Sequence, residues 1–215
     1  MPLYRALPRR PLEQAIERPT DPVSTQASRL AAEAAAFALT VGKIKDSAQL
    51  RARGFTQSID GMLSLGIGSP EMCTAVGSEP LPSDKPSFWT AEIIVGDPKR
   101  YRLLGITLNK DCPEDAYRAK GTYGWSNSSN SLWINGKEQT HDDDDGWNGF
   151  QPGDVATFKF DPIERTLSQY NARAGKTFVA SGIHEGPAYI LVDLFMNECR
   201  IRLRAATGEE KAMLT

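Results

Sequence analysis

Alternation of apolar and polar residues with a period of two is the feature that most constrains the fold of this chain. The clearest example is CRIRLRA at 199–205, where Cys199, Ile201, Leu203 and Ala205 alternate with Arg200, Arg202 and Arg204. The same pattern occurs in MLSLGIG (62–68), FWTAEIIV (88–95) and VATFKF (155–160). Successive side chains of a strand point to opposite faces, so each stretch predicts a strand with one buried face. In CRIRLRA, Ile201 and Leu203 are expected in the core.

The segments between these stretches indicate how the strands are arranged. Gly, Pro, Asn and Asp separate them, and no long helical pattern alternates with them. Short strands separated by turn residues are typical of antiparallel sandwiches, whereas a parallel sheet needs long helical crossovers. We therefore predict a mainly β fold, with a two-sheet antiparallel β-sandwich over residues 59–207 and a C-terminal tail at 208–215.

The first 58 residues have a different pattern. Five prolines within residues 1–23 disfavour a continuous helix or sheet and predict an extended Pro-rich arm. Residues 24–58 are predicted to be a helical extension, because apolar residues including Phe37 recur at steps of three and four and alanine is frequent. The apolar side of this helix either packs on its own domain or contacts another protein, so Phe37 is a candidate contact residue.

Charge and cysteine content limit the partners and the compartment. The net charge of −2 argues against nucleic acid as the main partner, because binding phosphates requires a concentrated basic surface. No apolar run approaches the roughly 18 residues of a membrane span. The three cysteines form no CxxC motif, which indicates a reducing compartment. We expect a cytoplasmic or nuclear protein, with a mitochondrial presequence in the Arg-bearing start as the alternative.

Few residues have the spacing of a catalytic or metal site. The two histidines, His141 and His184, have no partner at a spacing typical of zinc ligands, and the usual nucleophile and phosphate-loop motifs are missing. Asp142–Asp145 is the most metal-like feature, but four consecutive carboxylates cannot all face one ion. Glu92 and Asp193 lie on predicted strands without forming the paired pattern of a glycosidase. The expectation is a protein that is not an enzyme and has no cofactor or metal.

Three local signals predict two turns and one core residue of the sandwich. Gly153-Asp154 predicts a turn into the strand 155–160 in which the carboxylate binds backbone amides. Asn135-Gly136 is a strong signal for a two-residue hairpin turn. Trp125 follows a glycine on a predicted strand and is expected to pack in the core.

Four segments, taken in order, carry a family resemblance. They are FWTAEIIVGDPKRYRLLGITL (88–108), YGWSNSSNSLWINGK (123–137), FQPGDVATFKFDPIERTLSQYNARAGKTF (150–178) and PAYILVDLF (187–195). Their order resembles the SPRY domain family over about residues 59–205. The turn NARAG, which replaces the Asn-Gly turn usual in the family, and the acidic insertion at 139–149 depart from the family pattern.

The resemblance implies a non-catalytic protein-protein interaction module that acts as an adaptor or as a subunit of a larger assembly. Such domains are antiparallel sandwiches that bind proteins through loops at one end, and here the N-terminal arm and helix would add contacts. The turn into the last strand, with Phe195, Met196 and Asn197, matches a position that the family often uses for contact.

The acidic loop with Asp143 and Trp147 is the alternative contact surface, since exposed aromatic side chains often anchor interfaces. A lectin-type sandwich that binds carbohydrate is the alternative function. It would use an exposed tryptophan against a sugar ring, together with Asp and Asn side chains.

Overall fold

The protein is described here from a computed structural model. The described residues are 39–41, 55–57, 62–65, 72–77, 79–96, 102–111, 116–127, 131–140, 147–195 and 199–215. The predicted Pro-rich arm, Phe37 and most of the predicted helical extension lie outside these ranges.

Strands dominate the described part of the chain. In chain order they are β1 Leu39–Val41, β2 Phe55–Gln57, β3 Met62–Leu65, β4 Met72–Gly77, β5 Ser87–Val95, β6 Arg102–Thr107, β7 Thr122–Ser126, β8 Ser131–Ile134, β9 Lys137–Thr140, β10 Val155–Asp161, β11 Thr166–Asn171, β12 Lys176–Ala180, β13 Tyr189–Phe195 and β14 Cys199–Ala205. A 3-10 turn at Ala116–Arg118 precedes β7, and a short helix, α1, spans Gly208–Ala212. No helix in the described ranges is long and apolar enough to cross a membrane.

The strands form two seven-stranded sheets. The first sheet has the order β1-β4-β13-β6-β7-β8-β9, and the second has the order β12-β11-β10-β5-β14-β3-β2. Every strand pairing in both sheets is antiparallel. The predicted fold class, a mainly β two-sheet antiparallel sandwich, is confirmed.

The predicted register of the last strand is also confirmed. Ile201 and Leu203 are 0% and 2% exposed, whereas Arg200 is exposed and Arg204 is partly exposed. On the outer face Arg204 donates to Glu92 of the neighbouring β5 at 2.6 Å. The period of two therefore sorts the apolar side chains inward and the arginines outward.

Aromatic side chains fill the space between the sheets. Trp89 of β5 stacks on Phe158 of β10 with ring centroids 5.3 Å apart. Trp125 of the first sheet is fully buried and lies 6.3 Å from the Phe158 ring. The prediction of a core Trp125 is confirmed, and its indole links the two sheets.

The start of the sandwich differs from the prediction. At Leu39–Val41, where a helix was predicted, the chain forms strand β1, which pairs with β4. Strand β2 at Phe55–Gln57 also lies in the predicted helical extension and pairs with β3. Sheet edges supply hydrogen-bonding partners that outweigh weak helix propensity. Both sheets thus recruit residues from before position 59.

The C-terminal tail contains the helix α1. Thr207 caps it, since its hydroxyl accepts from the Glu210 backbone N–H at 3.2 Å and the Glu210 carboxylate accepts from the Thr207 N–H at 2.8 Å. This reciprocal pair is a capping box. Glu210 also binds Arg204 through both nitrogens of the guanidinium fork at 2.7 Å, which holds the tail against the second sheet.

The sandwich has an upper and a lower end, which are defined by the strands that begin and finish there. At the upper end β5, β7, β9, β11 and β13 finish, and β6, β8, β10, β12 and β14 begin. At the lower end the directions are reversed, and the chain leaves β14 there to form α1. The connections of the antiparallel pairs therefore divide into two groups of loops, one at each end.

Candidate functional site

The topology brings the two candidate contact surfaces to the same end of the sandwich. Phe195 is the last residue of β13, and the acidic loop connects β9 to β10, so both connections lie at the upper end. Arg102 ties them together, since it pairs with Leu194 of β13 and its guanidinium donates to the Phe150 carbonyl at 3.3 Å. Asp143, Met196 and Asn197 lie outside the described residues.

Arg102 is a buried cation that links several segments of the upper end. Its side chain is 1% exposed, and its Nε donates to Cys199 Sγ of β14 at 3.2 Å. Its backbone N–H donates to Asn127 Oδ1 after β7 at 2.6 Å. A buried charge is costly unless it is hydrogen-bonded, so these bonds hold the strand ends in one arrangement. Sequence reasoning missed Arg102, although an arginine that opens the apolar strand RLLGIT was a visible signal.

The Cys199 thiol beside Arg102 is a poor candidate for a nucleophile. Burial raises the pKa of the Cys199 thiol, while the charge and hydrogen bond of Arg102 pull it in the opposite direction with a smaller effect. A thiol with a raised pKa remains protonated at neutral pH, and the thiolate is the reactive form. Cys199 therefore serves as a hydrogen-bond acceptor and packing group.

Trp147 lies in the core and not on the loop surface. It is 5% exposed, and its ring packs edge-on against Phe150 at 4.8 Å and Phe178 at 5.2 Å between centroids. Its Nε1 donates to the Ser126 carbonyl at 3.1 Å. The expectation that Trp147 exposes its ring is wrong, because the apolar ring gains burial while its polar group keeps a hydrogen bond.

The burial of the other tryptophans argues against the lectin alternative, which uses an exposed indole ring. Trp89, Trp125 and Trp133 are 1%, 0% and 7% exposed, and with Trp147 they make up the four tryptophans of the chain. None of them offers an exposed indole ring for a sugar to stack on.

Asp154 fastens the base of the acidic loop to the second sheet. Its carboxylate is 3% exposed and accepts from the Gln151 backbone N–H at 2.9 Å. The same carboxylate binds Arg173 Nε at 2.7 Å and Nη2 at 3.1 Å, and it accepts from Asn171 Nδ2 at 3.2 Å. Gly153, with φ 89°, makes the turn before it. The predicted turn with a carboxylate bound to a backbone amide is confirmed.

The NARAG turn is longer than the Asn-Gly turn, and hydrogen bonds to the Asn171 side chain stabilise it. Asn171 Oδ1 accepts from the backbone N–H groups of Arg173 and Ala174 at 2.9 and 3.2 Å, and Gly175 closes the turn with φ 63°. The added length places Arg173 where it reaches both Asp154 and, at 2.8 Å, the Gly149 carbonyl. Arg173 is thus a positioning residue that sequence reasoning missed, and the irregular turn was its signal.

These contacts give the upper end a fixed polar base. Trp147 attaches the loop before β10 to the first sheet, and Asp154 attaches it to the second. Asn148, Gln151 and Arg173 are exposed above these anchors. The described part of the upper end therefore presents hydrogen-bonding side chains on a backbone that is held at several points.

The strand carboxylates do not form a catalytic pair. Glu92 alternates with the core residue Ile93 and binds Arg204 on the outer face of the second sheet. Asp193 alternates with the core residue Val192 and accepts from the Thr74 hydroxyl at 3.1 Å on the outer face of the first sheet. The two carboxylates point away from the interior on opposite sides of the sandwich, so they do not face each other across a cleft.

Comparison with known proteins identifies the fold. No protein-family model and no curated protein matches the sequence. Among solved structures, the SPRY domain of human HERC1 superposes with a TM-score of 0.57 at 18% identity, covering 71% of this chain and 93% of that one. A human SPRY domain gives 0.50 at 16% identity, covering 70% and 94%. The TRIM65 PSpry domain gives 0.51 at 14% identity, covering 72% and 86%. The described chain therefore has the fold of SPRY domains.

Proposed function

We propose that this protein is a non-catalytic protein-binding module whose upper end contacts the partner. The observation that supports the proposal is that β9 and β13, which lead into the acidic loop and the β13–β14 turn, finish at the same end of a SPRY-like sandwich. The protein would act as an adaptor or as a subunit of a larger assembly in the cytoplasm or nucleus, with protein and not nucleic acid as its partner.

The anchoring of the upper end supports this role. A binding surface gains affinity when little conformational freedom is lost on association. Arg102, Trp147 and Asp154 each tie a loop-proximal segment to a strand end through hydrogen bonds between segments distant in sequence. Loops that start from fixed points bind with a smaller entropic cost than loops that start from mobile ones.

The turn residues are tested by the double substitution Phe195→Ala and Met196→Ala. Crosslinking mass spectrometry of the native protein in lysate would first identify the partner, and calorimetry would then measure the affinity of the purified pair. We expect at least a thirtyfold loss, since truncating an interface hot spot typically costs about 2 kcal/mol or more. Thermal unfolding should stay close to that of the wild type.

The matched control is Val179→Ala with Met213→Ala, which removes exposed apolar side chains away from the upper end. These residues are 56% and 55% exposed, and the control pair should bind the partner as the wild type does. Unchanged affinity in the Phe195 and Met196 double variant would exclude the turn as the contact. A glycan array run beside the partner measurement distinguishes the carbohydrate alternative.

A further inference from the structure

A groove at the lower end of the sandwich is lined mainly by apolar residues. It has a volume of about 390 Å³ and is formed by three segments: the loop before β5, the turn after β10 and the loop before β13. Its walls include the rings of Pro80, Pro82, Pro162 and Pro187, together with Leu81 and Phe160. The groove lies at the end of the molecule opposite to the proposed partner surface.

The walls of the groove are already held in position. The Leu81 N–H donates to the Ala188 carbonyl at 2.7 Å, which joins the loop before β5 to the loop before β13. Asp161 Oδ1 accepts from two backbone N–H groups of the turn after β10, both at 3.1 Å. Arg165 Nε donates to the Ile183 carbonyl at 2.8 Å and joins that turn to the third segment. Proline rings further restrict the backbone, so the groove does not need to form when a ligand binds.

The groove leaves apolar surface open to water. Pro80, Pro82 and Pro187 are exposed, and Ile163, next to Pro162, is 68% exposed. Exposed apolar patches on soluble domains often mark interaction sites. A ligand for this groove should therefore contribute apolar side chains.

The charges beside the groove favour a cationic ligand. Four exposed carboxylates lie within two residues of lining positions: Glu79, Asp84, Glu164 and Glu185. The nearby cations are Lys85, Lys159 and Arg165; Lys159 already lies 3.6 Å from Asp161, and Arg165 lies 3.4 Å from Glu185. The excess of carboxylates attracts a positively charged segment, most strongly at low ionic strength.

Residues 1–12 of this chain, MPLYRALPRRPL, have this chemistry. They hold three arginines and no acidic residue, with Leu3, Tyr4 and Leu7 close by in the sequence. The chain also enters the sandwich at the correct end, since Leu39 of β1 pairs with Gly77 just before the loop that lines the groove. Twenty-six residues separate residue 12 from Leu39, and a chain of that length without regular structure spans on the order of 30 Å. Strand β1 lies two strands from β13 in the first sheet, which is about 10 Å, so the arm is long enough to reach the groove.

We propose that the lower groove is the docking site for residues 1–12 of the same chain. The apolar side chains of the arm fill the space between the proline rings, and the arginines face the surrounding carboxylates. A short tether raises the effective concentration of such a segment to the millimolar range, so a weak contact is sufficient. Because the proposed partner surface lies at the other end, the inference does not depend on the proposed function.

Photocrosslinking in the full chain tests the proposal. Tyr4→p-benzoylphenylalanine places a photoreactive group in the arm, and mass spectrometry of the irradiated monomer locates its attachment. We expect crosslinks within one chain to residues 79–83, 160–163 or 186–188. Crosslinks only to other parts of the protein, or only between two chains, would overturn the proposal.

Two further variants separate docking from folding. Ser83→Arg adds bulk and positive charge at an exposed lining position and should lower the crosslink yield about tenfold, which corresponds to about 1.4 kcal/mol. The control Gln151→Arg makes the same charge change at the upper end and should leave the yield unchanged. Arg9→Glu with Arg10→Glu changes only the arm and should reproduce the loss. Equal yields in all four proteins would refute the groove as the docking site.

Discussion

The two ends of the sandwich each contain an arginine–carboxylate pair, but the carboxylates of the two pairs differ in burial. At the upper end the Asp154 side chain is 3% exposed and binds Arg173, whereas at the lower end the Glu210 side chain is 20% exposed and binds Arg204. Both carboxylates also accept a backbone N–H, from Gln151 and Thr207 respectively. Each carboxylate binds an arginine and a backbone N–H, so the burial of the carboxylate determines how much its pair contributes to stability.

The surroundings of the pairs explain the difference. Asp154 sits where a loop crosses between the two sheets, and its partner Arg173 also binds the carbonyl of Gly149, two residues after the buried Trp147. Glu210 sits on a short helix that lies against the outer face of one sheet. The two arginines are equally accessible, at 32% and 31%, so the difference lies in the carboxylates: water reaches the Glu210 carboxylate more readily than that of Asp154. The upper end is therefore stabilised by buried contacts, whereas the lower end carries the exposed apolar groove.

The largest effect is expected from Trp147→Ala. Removing a buried aromatic side chain typically costs about 3–5 kcal/mol of folding free energy, and Trp147 also anchors the loop to Ser126. Urea unfolding of the full chain measures the change. The control Ile163→Ala at the lower end, where the side chain is 68% exposed, should change stability by less than about 0.5 kcal/mol. A small effect at Trp147 would mean that the upper end does not rely on interior anchoring.

A smaller loss is expected from Asp154→Ala. The substitution leaves the Gln151 N–H and the Arg173 guanidinium without their shared acceptor, which should cost about 2 kcal/mol. The same unfolding assay measures it, and limited proteolysis should show faster cleavage between β9 and β10. Asp111→Ala, at an exposed position of the lower end, is the control. Equal stability of the two variants would show that burial of the Asp154 pair contributes nothing.

The smallest and most pH-dependent effect is expected from Glu210→Gln. Arg204 above all, with the Thr207 N–H and the Thr90 hydroxyl, holds the pKa of Glu210 at about 2, below its ordinary value of 4.5. Since the folded-state pKa is lowered, the stabilisation is complete above about pH 4.5 and is lost as the pH falls toward 2. The variant should be about 1 kcal/mol less stable at neutral pH and low salt.

Thermal unfolding at several pH values between 7 and about 2 checks the Glu210 prediction. The difference between wild type and Glu210→Gln should shrink as the pH falls through this window. Glu185→Gln is the control, because Glu185 is 88% exposed in its pair with Arg165. A Glu210 difference that stays constant down to the lowest pH would contradict the ion pair as its cause.

Much of the fold was predictable because local patterns report local geometry. The alternation in CRIRLRA predicted the burial of Ile201 and Leu203, since side-chain direction in a strand depends only on position. Asn135-Gly136 predicted a turn, and both residues have positive φ, 54° and 73°. The candidate site was less predictable. The strand order shows that β9 and β13 finish at the same end. The anchors Arg102 and Arg173 were missed because their partners are distant in sequence.

The amino-acid sequence by itself determined which faces of the alternating strands are apolar and where the tight turns lie, because these follow from side-chain alternation and from backbone preferences of single residues. Only the tertiary structure decided the secondary structure and burial of residues whose neighbours in space come from distant parts of the chain. Leu39–Val41 became a strand because the edge of β4 was available. Trp147 became core because Phe150, Phe178 and the Ser126 carbonyl met around it. Burial and pairing are properties of neighbours in space, and neighbours in space exist only once both sheets have formed.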